Sequence, residues 1–120
     1  MTGNPGAAGC AGSGAVDHAY GRRVFAVILT YTAPLTEIDR HVPGHRTWLR
    51  AQYDAGRLLV SGPRTPRTGG VLLFATMPRA ELDAVLAEDP FAEHGVADRE
   101  IVEFSATSTV DALAHWRDPA

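Results

Sequence analysis

The chain has 120 residues, 45% of them hydrophobic, with 14 acidic and 11 basic side chains, a net charge of −3 and a pI near 5.9. This is one domain's worth of globular composition, large enough for a single core, and its acidic balance argues against a nucleic-acid partner. All eleven basic residues are arginine, which excludes lysine-based catalysis, and a lone Cys10 excludes an internal disulfide or a cysteine-rich zinc site.

Residues 1 to 21 are rich in Gly, Ala and Ser without periodicity and read as a flexible tail. The segment lacks the charged start and apolar middle of a signal peptide. No apolar run approaches the roughly 20 residues of a membrane span. A cytoplasmic bacterial protein is the plain expectation, with no membrane partner.

The domain proper is expected over residues 22 to 108. Val24 to Tyr31 is an apolar, β-rich run, long enough for one buried strand. Pro34 to Arg40 reads as a linker or a single helical turn. Pro43 suits a first helical position, where its missing N–H costs nothing. Trp48, Leu49 and Tyr53 continue a helical face, and Gly56 stops it. Arg57 to Ser61 is a second strand, and Val71 to Thr76 a third, joined by a breaker-rich loop. Pro78 to Glu88 is a second helix, with Leu82, Val85 and Leu86 at i, i+3, i+4. Asp89-Pro90 ends it, because a residue before proline avoids helix. Phe91 to Gly95 is expected as a short turn, and Ala97 to Ser105 as a fourth strand. Residues 109 to 120 form a tail, either a short helix over Val110, Leu113 and Trp116 or a loose end.

Strand, helix, strand, strand, helix, strand is the order of the split βαβ, ferredoxin-like α+β fold, a four-stranded antiparallel sheet. Both helices lie on one sheet face, so the other face needs cover, which a second copy supplies most simply.

His45 is the first candidate for chemistry, since imidazole moves protons near neutral pH. Placed in a first helical turn, it would feel the N-terminal dipole, which favours the neutral form and nearby anions. The alternative is a capping or structural histidine. Asp89 is the second candidate. A carboxylate beside an imidazole fixes its tautomer, but Asp before Pro also simply organises a turn. Ser61, Gly62 and Pro63 can turn backbone donors toward a cleft. No Gly-x-Ser-x-Gly elbow supports a serine nucleophile. Arg64 is a candidate for steering an anionic substrate, and His94 for lining the same cleft. His41 and His45 stand at i, i+4, but Pro43 between them disfavours a metal pair, and no metal ligand is assigned. Trp48 and Phe91 read as core or cleft wall. Neither a phosphate loop nor a dinucleotide glycine pattern is present, and no cofactor is implied. His18 and His115 lie in the tails and carry no weight.

Together, Pro43-Gly44-His45, Gly56-Arg57-Leu58-Leu59 running to Ser61-Gly62-Pro63, and Glu88-Asp89-Pro90-Phe91 resemble the YciI-like (YCII-related) family over residues 23 to 106. The resemblance implies a dimeric α+β barrel. It also implies an active-site dyad of His45, which keeps its spacing to Gly56, with Asp89 of the Asp-Pro-Phe box. One chemistry of that family is dehydrochlorination of a chlorinated hydroxyquinol, and muconolactone isomerase is a relative by fold. The expected function is therefore a small cofactor-independent isomerase or lyase. It would transfer a proton or eliminate a group on a small polar cyclic or aromatic compound. A non-catalytic ligand-binding or accessory module is the second expectation.

Overall fold

The computed structural model describes residues 23–118. Strand β1 (Arg23–Tyr31) is followed by helix α1 (Leu35–Asp54), then by the hairpin of β2 (Leu58–Pro63) and β3 (Gly69–Phe74). Helix α2 (Arg79–Ala87), the four-residue helix α3 (Pro90–Glu93) and β4 (Ala97–Ser105) complete the domain. A 3₁₀ helix (Asp111–Trp116) follows. The four strands form one antiparallel sheet in the order β2-β3-β1-β4. This is the ferredoxin-like α+β arrangement expected from the sequence.

Alternation in β1 divides the sheet into two faces. Phe25, Val27 and Leu29 are at most 5% exposed and meet Ile38 and Trp48 of α1, Leu82 of α2 and Phe91 of α3 in the core. Alternate residues point the other way. There Val60, Val71, Val102 and Phe104 stay exposed. The C-terminal segment covers one end of this second face, where Leu113 and Trp116 lie near Val24, Leu73 and Phe104 around a small apolar hollow.

The largest departure from expectation is the start of α1. The sequence suggests a linker or single turn at 34–40 and a helix beginning at Pro43, but the helix begins at Leu35, with Pro34 as its N-cap, and Pro43 lies inside it. Ile38, fully buried, anchors the early turns to the core. Pro43 removes the N–H that would bond the Asp39 carbonyl. Both residues are exposed, so that carbonyl keeps access to water and the interruption is tolerated. Gly56, at φ 74°, takes the left-handed turn that ends the helix.

Two smaller differences matter for the site. Phe91 to Gly95 is not a plain turn: Asp89 caps α3 by accepting a hydrogen bond from the Phe91 amide at 3.1 Å. The hairpin strands begin one or two residues from their expected limits, because Gly69 already pairs with Thr30. A side chain at Gly69 would collide with the Leu29 carbonyl, so this close strand approach requires glycine. The C-terminal segment, for which the sequence allows a short helix or a loose end, is the 3₁₀ helix. The expected N-terminal tail, including Cys10 and His18, lies outside the described residues.

Candidate active site

The core face of α1 passes beside α3, and this brings residues 45 and 89 together. His45 Nδ1 lies 2.8 Å from Asp89 Oδ1. The aspartate side chain is 4% exposed and the histidine side chain 14%. A carboxylate only accepts hydrogen bonds, so Nδ1 is the donor of this contact, and in the neutral form of the ring the lone pair is on Nε2. Asp89 Oδ1 accepts from the Phe91 amide as well. One oxygen therefore starts α3 and orients the imidazole.

Two further contacts fix the ring. The Phe91 ring stacks on His45 at 4.1 Å between centroids and 13° between planes. Trp48 lies beyond at 5.8 Å, its indole N–H donating to the Val85 carbonyl. Tyr31 meets Phe91 edge-on at 5.8 Å. Gly44 permits the approach of α3 to α1: a Cβ there would stand 3.2 Å from Pro90 Cγ. Pro43-Gly44-His45 thus has a geometric reading unrelated to a helix start. His45 lies ten residues beyond Leu35, within α1. The helix-terminus dipole inferred from the sequence is therefore absent at this histidine, since that effect fades within the first turn.

His45 opens onto a cleft of about 190 Å³ between α1 and the β2–β3 hairpin. Val42, His45, Arg46 and Leu49 supply one wall at i, i+3, i+4, i+7. Ser61, Gly62 and Pro63 of β2 lie opposite, as the sequence suggests, and Leu29, Leu72 and Phe91 form apolar wall between them. The Ser61 hydroxyl hydrogen-bonds the Tyr53 hydroxyl at 2.7 Å. Asp89 does not line the cleft; it is buried behind His45.

The structure does not bring Arg64 or His94 to this cleft. Arg64 donates to Thr30 Oγ1 at 3.1 Å, and Thr30 belongs to the sheet face opposite the helices. The strand alternation carries Arg64 away from the site. His94 stacks on His41 at 4.1 Å, and His41 Nε2 lies 3.1 Å from Glu37 Oε2. The two histidines at i, i+4 therefore turn to different carboxylates, Glu37 and Asp89. Among the described residues no group of three or more His, Cys, Asp or Glu is arranged to hold a metal ion.

Besides apolar wall residues, the polar cleft residues Tyr31, Arg46 and Arg67 escape the sequence reading. Arg67, from the β2–β3 loop, donates to Asp39 at 2.6 Å and stands 6.0 Å above the Tyr31 ring. The hydrogen bond that Arg67 donates to Asp39 raises the guanidinium's already high pKa, with the charge of Asp39 adding to it. Arg46 was legible in principle. The stripe Val42, His45, Arg46, Leu49 emerges once α1 is begun at Leu35. Arg67 carries no periodic signal.

An antiparallel β2-β3-β1-β4 sheet, backed by helices that join an imidazole to a buried carboxylate, defines a ferredoxin-like α+β domain with a one-sided cleft. The chain belongs to the YCII-related domain family, whose sequence model matches residues 24–105. In fold it is similar to 5-chloro-2-hydroxyhydroquinone dehydrochlorinase (TftG) from Burkholderia phenoliruptrix AC1100, solved in complex with 2,5-dihydroxybenzoquinone. That likeness has a TM-score of 0.61 at 16% sequence identity, covering 68% of this chain and 93% of the dehydrochlorinase. At this identity it is a likeness of fold. No curated protein matches the sequence.

Proposed function

We propose that the protein is a cofactor-independent enzyme of the lyase or isomerase type, with His45 as general base and Asp89 as its positioning partner. The observation that carries this reading is the 2.8 Å contact of His45 Nδ1 with a carboxylate that is 4% exposed. It leaves Nε2 as the basic atom on a ring that lines the cleft. In this reading Nε2 removes a proton from an acidic C–H or O–H of a small cyclic or aromatic carbonyl or phenol-type compound. The electron pair passes into the carbonyl or ring as an enolate or phenolate. It then either expels a leaving group, which departs with its own pair, or is reprotonated at another carbon by the imidazolium. Asp89 stabilises the imidazolium in between. In this reading, arginine at the cleft offsets the developing oxyanion.

TftG supports this reading by fold and family, because its named activity is an elimination on a small aromatic compound. No helix among the described residues is long and apolar enough to cross a membrane. We further propose a homodimer through the sheet face that leaves Val60, Val102 and Phe104 exposed.

The test is a survey of cyclic ketones, quinols and halogenated phenols incubated with the protein in D₂O. NMR reads deuterium incorporation or loss of the leaving group. Exchange or elimination that disappears in His45→Gln supports the enzyme. Binding of a compound without exchange in the wild type would favour a ligand-binding module.

A further inference from the structure

The cleft walls are asymmetric in charge. Arg46 and Arg67 line it, and among the described residues no aspartate or glutamate does. The two guanidiniums come from opposite walls, Arg46 from α1 and Arg67 from the β2–β3 loop. Arg67 is held in place by Asp39 at 2.6 Å and by the Tyr31 ring beneath it. One carboxylate does not exhaust a guanidinium, which has five N–H donors in a fixed fork. The Arg46 guanidinium makes no hydrogen bond or ion pair with any described residue. Deeper in, Leu29, Leu49, Leu72 and Phe91 present apolar surface beside the His45 ring.

From this arrangement we infer that the ligand of the cleft is a small cyclic carboxylate. Its ring lies against Phe91 and Leu49, and its carboxylate is gripped at the mouth by Arg46 and Arg67. This deepens the proposed proton-transfer reading, because it names the substrate class, and it rests on the same site. Arginine is the side chain matched to a carboxylate by a two-point contact. A ring anchored that way is held at one end while the other reaches His45. Arg64, the arginine suggested by the sequence, is replaced in this role by two that the chain brings in from either side.

The experiment reads binding, so it separates from the test of catalysis. Benzoate and its neutral isostere benzamide are titrated into the full-length protein at low salt by ¹H–¹⁵N NMR. Four variants are compared: Arg46→Gln, Arg67→Gln, Arg64→Gln and His45→Gln. The expected result is benzoate binding at least roughly tenfold tighter than benzamide, a single charged hydrogen bond being enough for that factor. Shifts should map to Val42, Leu49 and Gly62. Arg46→Gln and Arg67→Gln should each remove most of the preference, and raised salt should weaken it. Arg64→Gln, on the opposite sheet face, should leave it intact. His45→Gln should also keep it, even if that variant abolishes turnover. Equal binding of the two probes, no binding of either, or a preference untouched by both cleft substitutions overturns the inference. A loss of preference in Arg64→Gln would move the anion to the other face and overturn it too.

Discussion

Asp89 Oδ1 faces His45 Nδ1 at 2.8 Å while accepting the Phe91 amide at 3.1 Å. The ring of that same Phe91 lies flat on the His45 imidazole. The carboxylate therefore starts the helix whose first aromatic side chain packs the imidazole it contacts. Local structure and site chemistry share one atom.

The double duty can be separated by substitution. Asn caps helices about as well as Asp and still offers an oxygen to both donors. Asp89→Asn should therefore unfold at nearly the wild-type denaturant midpoint, yet lose on the order of 10²-fold or more in turnover. It lacks the charge that stabilises an imidazolium. Asp89→Ala should lose activity as well, together with about 1–2 kcal/mol of stability from the missing cap. Urea unfolding beside turnover distinguishes the two. Equal turnover of Asn and wild type would show that the charge plays no part.

Gly44 should matter more to activity than to folding. Alanine inside a helix is worth about 1 kcal/mol over glycine. At this position its Cβ would stand 3.2 Å from Pro90 Cγ, on the residue next to Asp89. We expect Gly44→Ala to change the unfolding free energy by less than about 1 kcal/mol. Turnover should fall by roughly tenfold or more, since small displacements of a catalytic pair are costly.

Pro43 should be dispensable for folding. It sits exposed inside α1 and leaves the Asp39 carbonyl without its helical donor. Pro43→Ala should restore that bond and stabilise the domain by about 1–3 kcal/mol, read by urea unfolding. A loss of stability would mean that the proline shapes the helix in a way the core depends on.

That same proline explains much of what the sequence showed and hid. Strand alternation in 24–31 and the Leu82, Val85, Leu86 stripe carry clear periods, so the sheet, α2 and the ferredoxin-like order were legible. So was the pairing of His45 with Asp89 as candidates, through the Asp-Pro-Phe box and the spacing to Gly56. Pro43 pointed to a helix start because proline is usually excluded from helix interiors. The buried Ile38, an interaction made only in the folded core, overrides that preference. The misplaced start concealed the position of His45 within the helix and the cleft-facing stripe containing Arg46. Arg64 and Arg67 look alike in a loop sequence. Only the sheet alternation and the pairing of Arg67 with Asp39 send them to opposite faces.

The exposed apolar face leads to a further expectation. A sheet showing Val60, Val102 and Phe104 to water should be covered by a second copy. Sedimentation velocity should give a dimer for the wild type and a monomer for Val102→Asp, with circular dichroism unchanged. A monomeric wild type at tens of micromolar would contradict the proposed dimer.

In the proposed function one imidazole, held by one buried carboxylate, moves the proton. The most direct measurement is the turnover of His45→Gln on a compound that the wild type exchanges or eliminates, with ligand affinity read in parallel. We predict a loss of roughly 10²–10⁴-fold in rate with binding kept within a few-fold. A variant that turns over within a few-fold of wild type while binding equally well would contradict it.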